Sequence, residues 1–179
     1  MKDFLSKWFH FLNQFKFIDV ILIYLWQSLK IKQMEKRINI AELEPAAYRA
    51  LIGLENYLAT TTINKTLKEL IKIRASQING CAFCINMHTV DARKQGETEK
   101  RIYLLNAWKE VEGLYTAEER AVLALTEEMT LIANGGVSAA TYQNAKSFFD
   151  DNLLAQIMVA IITINGWNRM CIATLVQPA

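Results

Sequence analysis

Seven glycines and two prolines are the whole supply of chain-breaking residues in 179 positions, where average usage would give roughly 21. A β-sandwich or barrel needs a turn signal about every 8–12 residues, so this scarcity steers the chain toward long helices. Hydrophobic residues make up 52% and charged residues 21%, which is too apolar for a disordered chain and sufficient for one sizeable core. Three cysteines do not make a disulfide-stapled secreted framework. The expected fold class is all-α: a single-domain bundle of about six helices in the reducing cytoplasm, preceded by an N-terminal helical extension.

Charge sets that extension apart. Residues 1–33 carry five lysines against Asp3 and Asp19, whereas residues 34–179 hold 15 basic and 16 acidic groups. The body has no basic stripe of the kind that binds nucleic acid. In the extension, Phe4, Leu5, Trp8, Phe9, Leu12 and Phe15 recur at helical spacing against a polar face that includes His10. Phe17–Trp26 is then almost wholly apolar, but it is too short for a bilayer span, which needs about 20 residues. No small-residue cleavage site follows. Three readings stay open: an amphipathic helix on a partner subunit, a helix lying in a membrane interface, or an extension of no defined role ahead of a start at Met34. The main domain is placed at 34–179.

Within that domain the helix ends are legible. Pro45 suits a first helical turn, with an apolar face from Tyr48 to Leu58. Asn64 caps a helix over 65–79, and Gly80 closes it. A third helix runs from Cys81 to about Gln95, and a shorter one from Thr98 to about Trp108. Thr116 and Glu119 form a capping box. Ser138 caps 139–149, and Asp151 opens a long helix to about Val176. In that last helix Leu153–Ile164 is apolar almost all round, which calls for cover on every side. A second subunit supplying that cover predicts a homo-oligomer; a central helix wrapped by its own domain is the other solution.

Chemistry concentrates in Asn79-Gly80-Cys81-Ala82-Phe83-Cys84-Ile85-Asn86-Met87-His88. Two cysteines at i and i+3, with a histidine four residues beyond the second, share one helical face. Cys81 falls at a helix N-terminus, where free N–H groups favour the thiolate. His88 is one turn past Cys84 and is placed to take or relay its proton. A vicinal dithiol with a base is the minimum equipment for attacking an oxidant and then closing a disulfide. A hairpin at Gly80 brings Glu69 near His88, with a mismatch of three residues, or about 4.5 Å of helix. A carboxylate among Leu70 and Ile71 needs a partner if buried, and a Glu69–His88 hydrogen bond would orient the imidazole.

Other chemistries fit less well. A c-type haem site needs His directly after the second Cys, where this chain has Ile85. A closed zinc site needs four ligands, so Cys81, Cys84 and His88 would require Cys171, His10 or Glu69 as the fourth. Cysteine also serves as small core filler, and that is the expectation for Cys171 in the apolar last helix. Two further uses of the dithiol remain open: a dithiol–disulfide oxidoreductase or redox sensor acting on protein partners, and an oligomeric module without catalysis.

The pattern Glu69…Cys81-x-x-Cys84-x-x-x-His88 resembles the alkylhydroperoxidase AhpD-like branch of the carboxymuconolactone decarboxylase family. Leu67–Gly96 carries the core motif, and Ile164-Asn165-Gly166-Trp167-Asn168-Arg169 is similar to that family's C-terminal helix. The resemblance implies an all-helical fold, homo-oligomers and thiol peroxidase chemistry without haem, flavin or metal. It implies a hydroperoxide substrate and an external dithiol reductant, lipoyl or thioredoxin-like. It makes Cys84 the peroxidatic cysteine, Cys81 the resolving one that meets the reductant, and Glu69 with His88 a proton relay. Phe83 stands where the best-studied enzymes have a second histidine. Decarboxylase members lack the CxxC.

Overall fold

The computed structural model describes Ile21, Leu22 and residues 37–178. The chain divides into units 1–37 and 38–179, and the architecture below is that of the second. The expected N-terminal extension, residues 1–33, lies outside the described residues except for Ile21 and Leu22 of its apolar run, which are helical and exposed.

Among the described residues of the second unit there are eight α-helices and two 3-10 turns, and no strand. A single turn, α1 (Ile40–Leu43), is capped by Asn39, whose side chain accepts the Ala41 N–H. Helix α2 (Pro45–Thr60) starts on proline, which has no amide proton to leave unpaired there. Helix α3 (Lys65–Asn79) begins with the Asn64 side chain accepting the Leu67 N–H and ends at Gly80, whose φ of 72° is left-handed. Cys81, the single residue that follows, turns the chain back into α4 (Ala82–Lys94) as its extended N-cap.

Thr98 caps the short α5 (Glu99–Leu104), which tightens into a 3-10 turn at Leu105–Ala107. The Thr116–Glu119 capping box opens α6 (Ala117–Thr130) with both reciprocal bonds made. Ser138 caps α7 (Ala139–Lys146), and Asp150 caps α8 (Asp151–Ala173). Two ends fall short of expectation. Helix α7 stops at Lys146 because Ser147 and Phe148 N–H groups bond within the closing turn, and α8 stops at Ala173, ahead of the left-handed Leu175.

Helix α3 is the hub: it packs on α4, α6 and α8. Its apolar positions split between two sides, Leu67 and Ile71 facing α8 and Leu70 and Ile73 facing Leu105, Trp108 and Leu123. Helix α8 is enclosed largely by its own domain, through α2, α3, α4, α6 and α7. Leu154, Ile157, Ala160, Ile161 and Ile164 are buried, and Ile162 and Ile172 stay exposed. Intrachain cover thus accounts for most of the apolarity that had suggested a second subunit. A smaller core beneath the α3–α4 turn gathers Ala75, Cys81, Cys84, Ile164 and Cys171. There the site lies.

Candidate functional site: a buried dithiol beside a histidine–carboxylate pair

The α3–α4 hairpin fixes the site's geometry. Gly80 takes the one backbone conformation at the turn that an L side chain would resist. The Cys81 N–H bonds back to the Ser76 carbonyl, so the cap is held against the end of α3. One turn into α4, Cys84 faces the same way. The two sulfurs are 2.7 Å apart, both free and both buried to 1% exposure. A disulfide bond is about 2.05 Å long, so a small side-chain movement closes it.

Further along the hairpin, His88 Nδ1 lies 2.9 Å from Glu69 Oε2. Both side chains are buried, and a lone carboxylate there would be costly. The bond commits Nδ1 and leaves Nε2 as the ring nitrogen free to act. No hydrogen bond joins His88 to either sulfur among the described residues. Instead, Cys84 and His88 line one cavity of about 400 Å³, between α2, α4 and α8. Its walls are mainly apolar, from Ile52, Phe83 and Met87, and from Tyr48 and Trp167 in edge-on contact at 5.4 Å. The ion pair of Lys72 with Glu55, at 2.7 Å, forms part of the rim. Cys81 is not in the lining, and sits behind Cys84.

The third cysteine is core, as expected of filler, but it also joins the site. Cys171 comes from α8, yet its sulfur and those of Cys81 and Cys84 all lie within 4.8 Å of one another, and it too lines the cavity. Nothing local in the sequence joins positions 84 and 171; only the packing of α8 against α4 does. Among the described residues these three thiols are the one cluster able to hold a metal ion. A closed zinc site would need a fourth donor there, since Glu69 is engaged by His88 and His10 lies outside the described residues.

Burial also overrides the expected helix-terminus effect on Cys81. Removal from water, with the Cys84 thiol beside it, pushes Cys81 up to about 11. The Cys171 sulfur and then burial hold the Cys84 thiol well above the ordinary range. Contact with Cys84 draws Cys171 downward against the effect of burial. The positive end of a helix favours a thiolate, but here the loss of water outweighs it.

A polar network from α8 supports the floor of the site, and sequence reasoning missed its role. Asn168 Nδ2 donates to Ser76 Oγ at 3.0 Å, while Asn79 Nδ2 donates to both Asn168 Oδ1 and Asn165 Oδ1 at 2.9 Å. Asn165 in turn donates to Thr130 Oγ1. The Asn168 side chain bears on both hairpin sulfurs and favours their thiolate forms, a smaller influence than burial. Two asparagines three residues apart in an apolar helix were the available signal.

Comparison with known proteins bears on the fold and the family. The model of the carboxymuconolactone decarboxylase family matches residues 45–128, which contain Glu69, both hairpin cysteines and His88. The uncharacterized protein YdfG of Bacillus subtilis is 45% identical over 140 residues, covering 78% of this chain and 95% of that protein. A crystal structure from Agrobacterium tumefaciens, of a protein of unknown function grouped with the antioxidant defence protein AhpD, is 38% identical. It superimposes with a TM-score of 0.77 over 81% of this chain and 99% of its own. An alkylhydroperoxidase AhpD core from Ralstonia eutropha, 17% identical, shares the fold with a TM-score of 0.68 over 78% of this chain and 74% of its own. The helical fold, the family match over the hairpin and the two relatives of high identity agree: this chain belongs to the AhpD-like branch of the carboxymuconolactone decarboxylase family.

Proposed function

We propose that the chain is a thiol-dependent hydroperoxidase in which Cys84 attacks the peroxide, Cys81 resolves it, and Glu69 and His88 handle the proton. One observation carries this reading. The Cys84 sulfur and the Glu69-held imidazole open on the same apolar cavity, with a second thiol 2.7 Å behind the first. A small hydroperoxide fits a cavity of about 400 Å³. A folded protein disulfide does not reach sulfurs that are 1% exposed, which favours peroxide over the dithiol–disulfide oxidoreductase reading.

The geometry supports a stepwise scheme. With no direct bond from His88 to sulfur, the Cys84 proton passes to Nε2 through water or the peroxide itself. The thiolate attacks the distal peroxide oxygen; the O–O bond breaks, the alkoxide takes the proton back from His88, and alcohol leaves. Cys84 is then a sulfenic acid. The Cys81 thiol displaces its hydroxyl as water, giving the 81–84 disulfide. An external dithiol restores both thiols and leaves as its own disulfide. Because Cys84 rather than Cys81 faces the cavity, a reductant entering there meets the Cys84 sulfur. That geometry favours a slender lipoyl-type dithiol over a thioredoxin-like protein, and differs from the family pattern in which the first cysteine meets the reductant. No cofactor enters the scheme.

The proposal includes a homo-oligomer through apolar helix faces and a cytoplasmic location, where reductant keeps the thiols free. Among the described residues no helix is long and apolar enough to cross a membrane. The test is steady-state consumption of an organic hydroperoxide with dihydrolipoamide as reductant. Wild type turns over, and Cys84→Ser loses turnover entirely. Normal turnover by Cys84→Ser would refute the assigned role, and insulin reduction without peroxide consumption would favour the oxidoreductase reading instead.

A further inference from the structure

Cys171 has no part in the scheme above, yet it shares the cavity wall with Cys84. We propose that Cys171 is a second resolving thiol, forming an 84–171 disulfide that joins α4 to α8. The inference rests on the peroxidatic role proposed for Cys84.

Three observations support it. The Cys171 sulfur lies within 4.8 Å of both other sulfurs, inside the range that side-chain rotation and a modest helix shift close to a bond. Cys171 sits in the last turn of α8, two residues before its end at Ala173, where helix ends adjust most readily. It also lines the cavity from which peroxide and reductant would approach, whereas Cys81 does not.

The chemistry balances without a new reactant. Peroxide oxidises the Cys84 thiolate to sulfenic acid, and the Cys171 thiolate attacks that sulfur. The S–O bond breaks as the S–S bond forms, and the departing hydroxide takes up a proton to leave as water. The external dithiol then reduces the 84–171 disulfide as it would 81–84. The oxidised pair then lies on the cavity wall.

Tryptic mapping reads the two disulfides apart. Cleavage at Arg74, Arg93 and Arg169 leaves Cys81 and Cys84 on the peptide 75–93 and Cys171 on 170–179. An 81–84 disulfide stays within one peptide, and a bond to Cys171 joins two. The full-length chain as Cys81→Ser is treated with one equivalent of tert-butyl hydroperoxide, mapped, and assayed for turnover with dihydrolipoamide. The expected result is joined peptides and repeated turnover within about tenfold of wild type. Cys81→Ser/Cys171→Ser should be at least about tenfold slower again, with Cys84 sulfenic acid trapped by dimedone. If Cys81→Ser gives unjoined peptides and trapped sulfenic acid, the inference is wrong while the peroxide reading stands. If wild type does not consume peroxide, that reading falls, and oxidation of Cys81→Ser by diamide still decides whether Cys84 pairs with Cys171. Cys81→Ala repeats each arm should serine disturb the buried cap.

Discussion

Glu69 is a buried carboxylate hydrogen-bonded to His88. In Glu69→Gln the amide oxygen still accepts from Nδ1, so the ring keeps a partner but loses the negative charge behind it. Peroxide turnover should fall about 100-fold, the low end for general acid–base catalysis, with the melting temperature little changed. Unchanged kcat would remove the pair from the mechanism. The buried thiols also set a pH dependence. With Cys81 raised from about 9 to about 11 and Cys84 also raised, both are protonated at neutral pH, so initial rates should climb as pH rises from 7 to 9. Stability moves the other way. The raised Cys81 contributes fully below its unfolded value near 9, and that contribution is lost as pH rises toward about 11. A rate–pH profile and melts across that range check both signs. At this scale the sequence exposed four residues well: Cys81, Cys84, His88 and Glu69 are tied by helical spacing and one hairpin. Cys171 and Asn168 were not legible in the same way, because their places depend on α8 meeting the hairpin from 87 and 84 positions beyond Cys84.

Helix α3, Gly80 and the start of α4 act as one part. Asn64, Gly80 and the Cys81 cap position were readable because caps and glycine signals are local. Gly80→Ala has open space around its new Cβ but must hold φ of 72°, at a cost of about 1–2 kcal/mol. Its larger effect should be on chemistry, because any relaxation of the turn moves Cys81 relative to Cys84. Chemical denaturation should show that modest loss, and the rate of disulfide closure after peroxide should slow. Closure at the wild-type rate would mean that the turn does not set the sulfur distance. The last turns of α7 and α8 were overextended in sequence because apolar periodicity continues through Phe149 and Val176 after the helical hydrogen bonds have ended. The burial around Cys81 was equally invisible: a cap signal marks a helix end without showing what packs over it.

At the level of the whole molecule, α8 shows how a nearly all-apolar helix is satisfied in one domain: five helices cover it. Ile162 and Ile172 remain on its open face, and Met87 and Val90 are exposed on α4. The proposed homo-oligomer would bury such positions. Light scattering should give a mass of at least twice 20.5 kDa, and a monomer at micromolar concentration would remove that part of the proposal. All-α class and single-domain architecture were legible because few breakers and strong caps leave little else to form. The cavity was not, since it is made by residues from four helices. The central claim is that Cys84 is oxidised by peroxide and bonded to a neighbouring thiol. Its most direct test is thiol titration of the full chain before and after one equivalent of organic hydroperoxide, with the oxidised pair mapped. The account predicts that two of the three thiols are lost, return on addition of dithiol, and include Cys84 in the disulfide. Three thiols still titratable after peroxide, or a disulfide that omits Cys84, would contradict it.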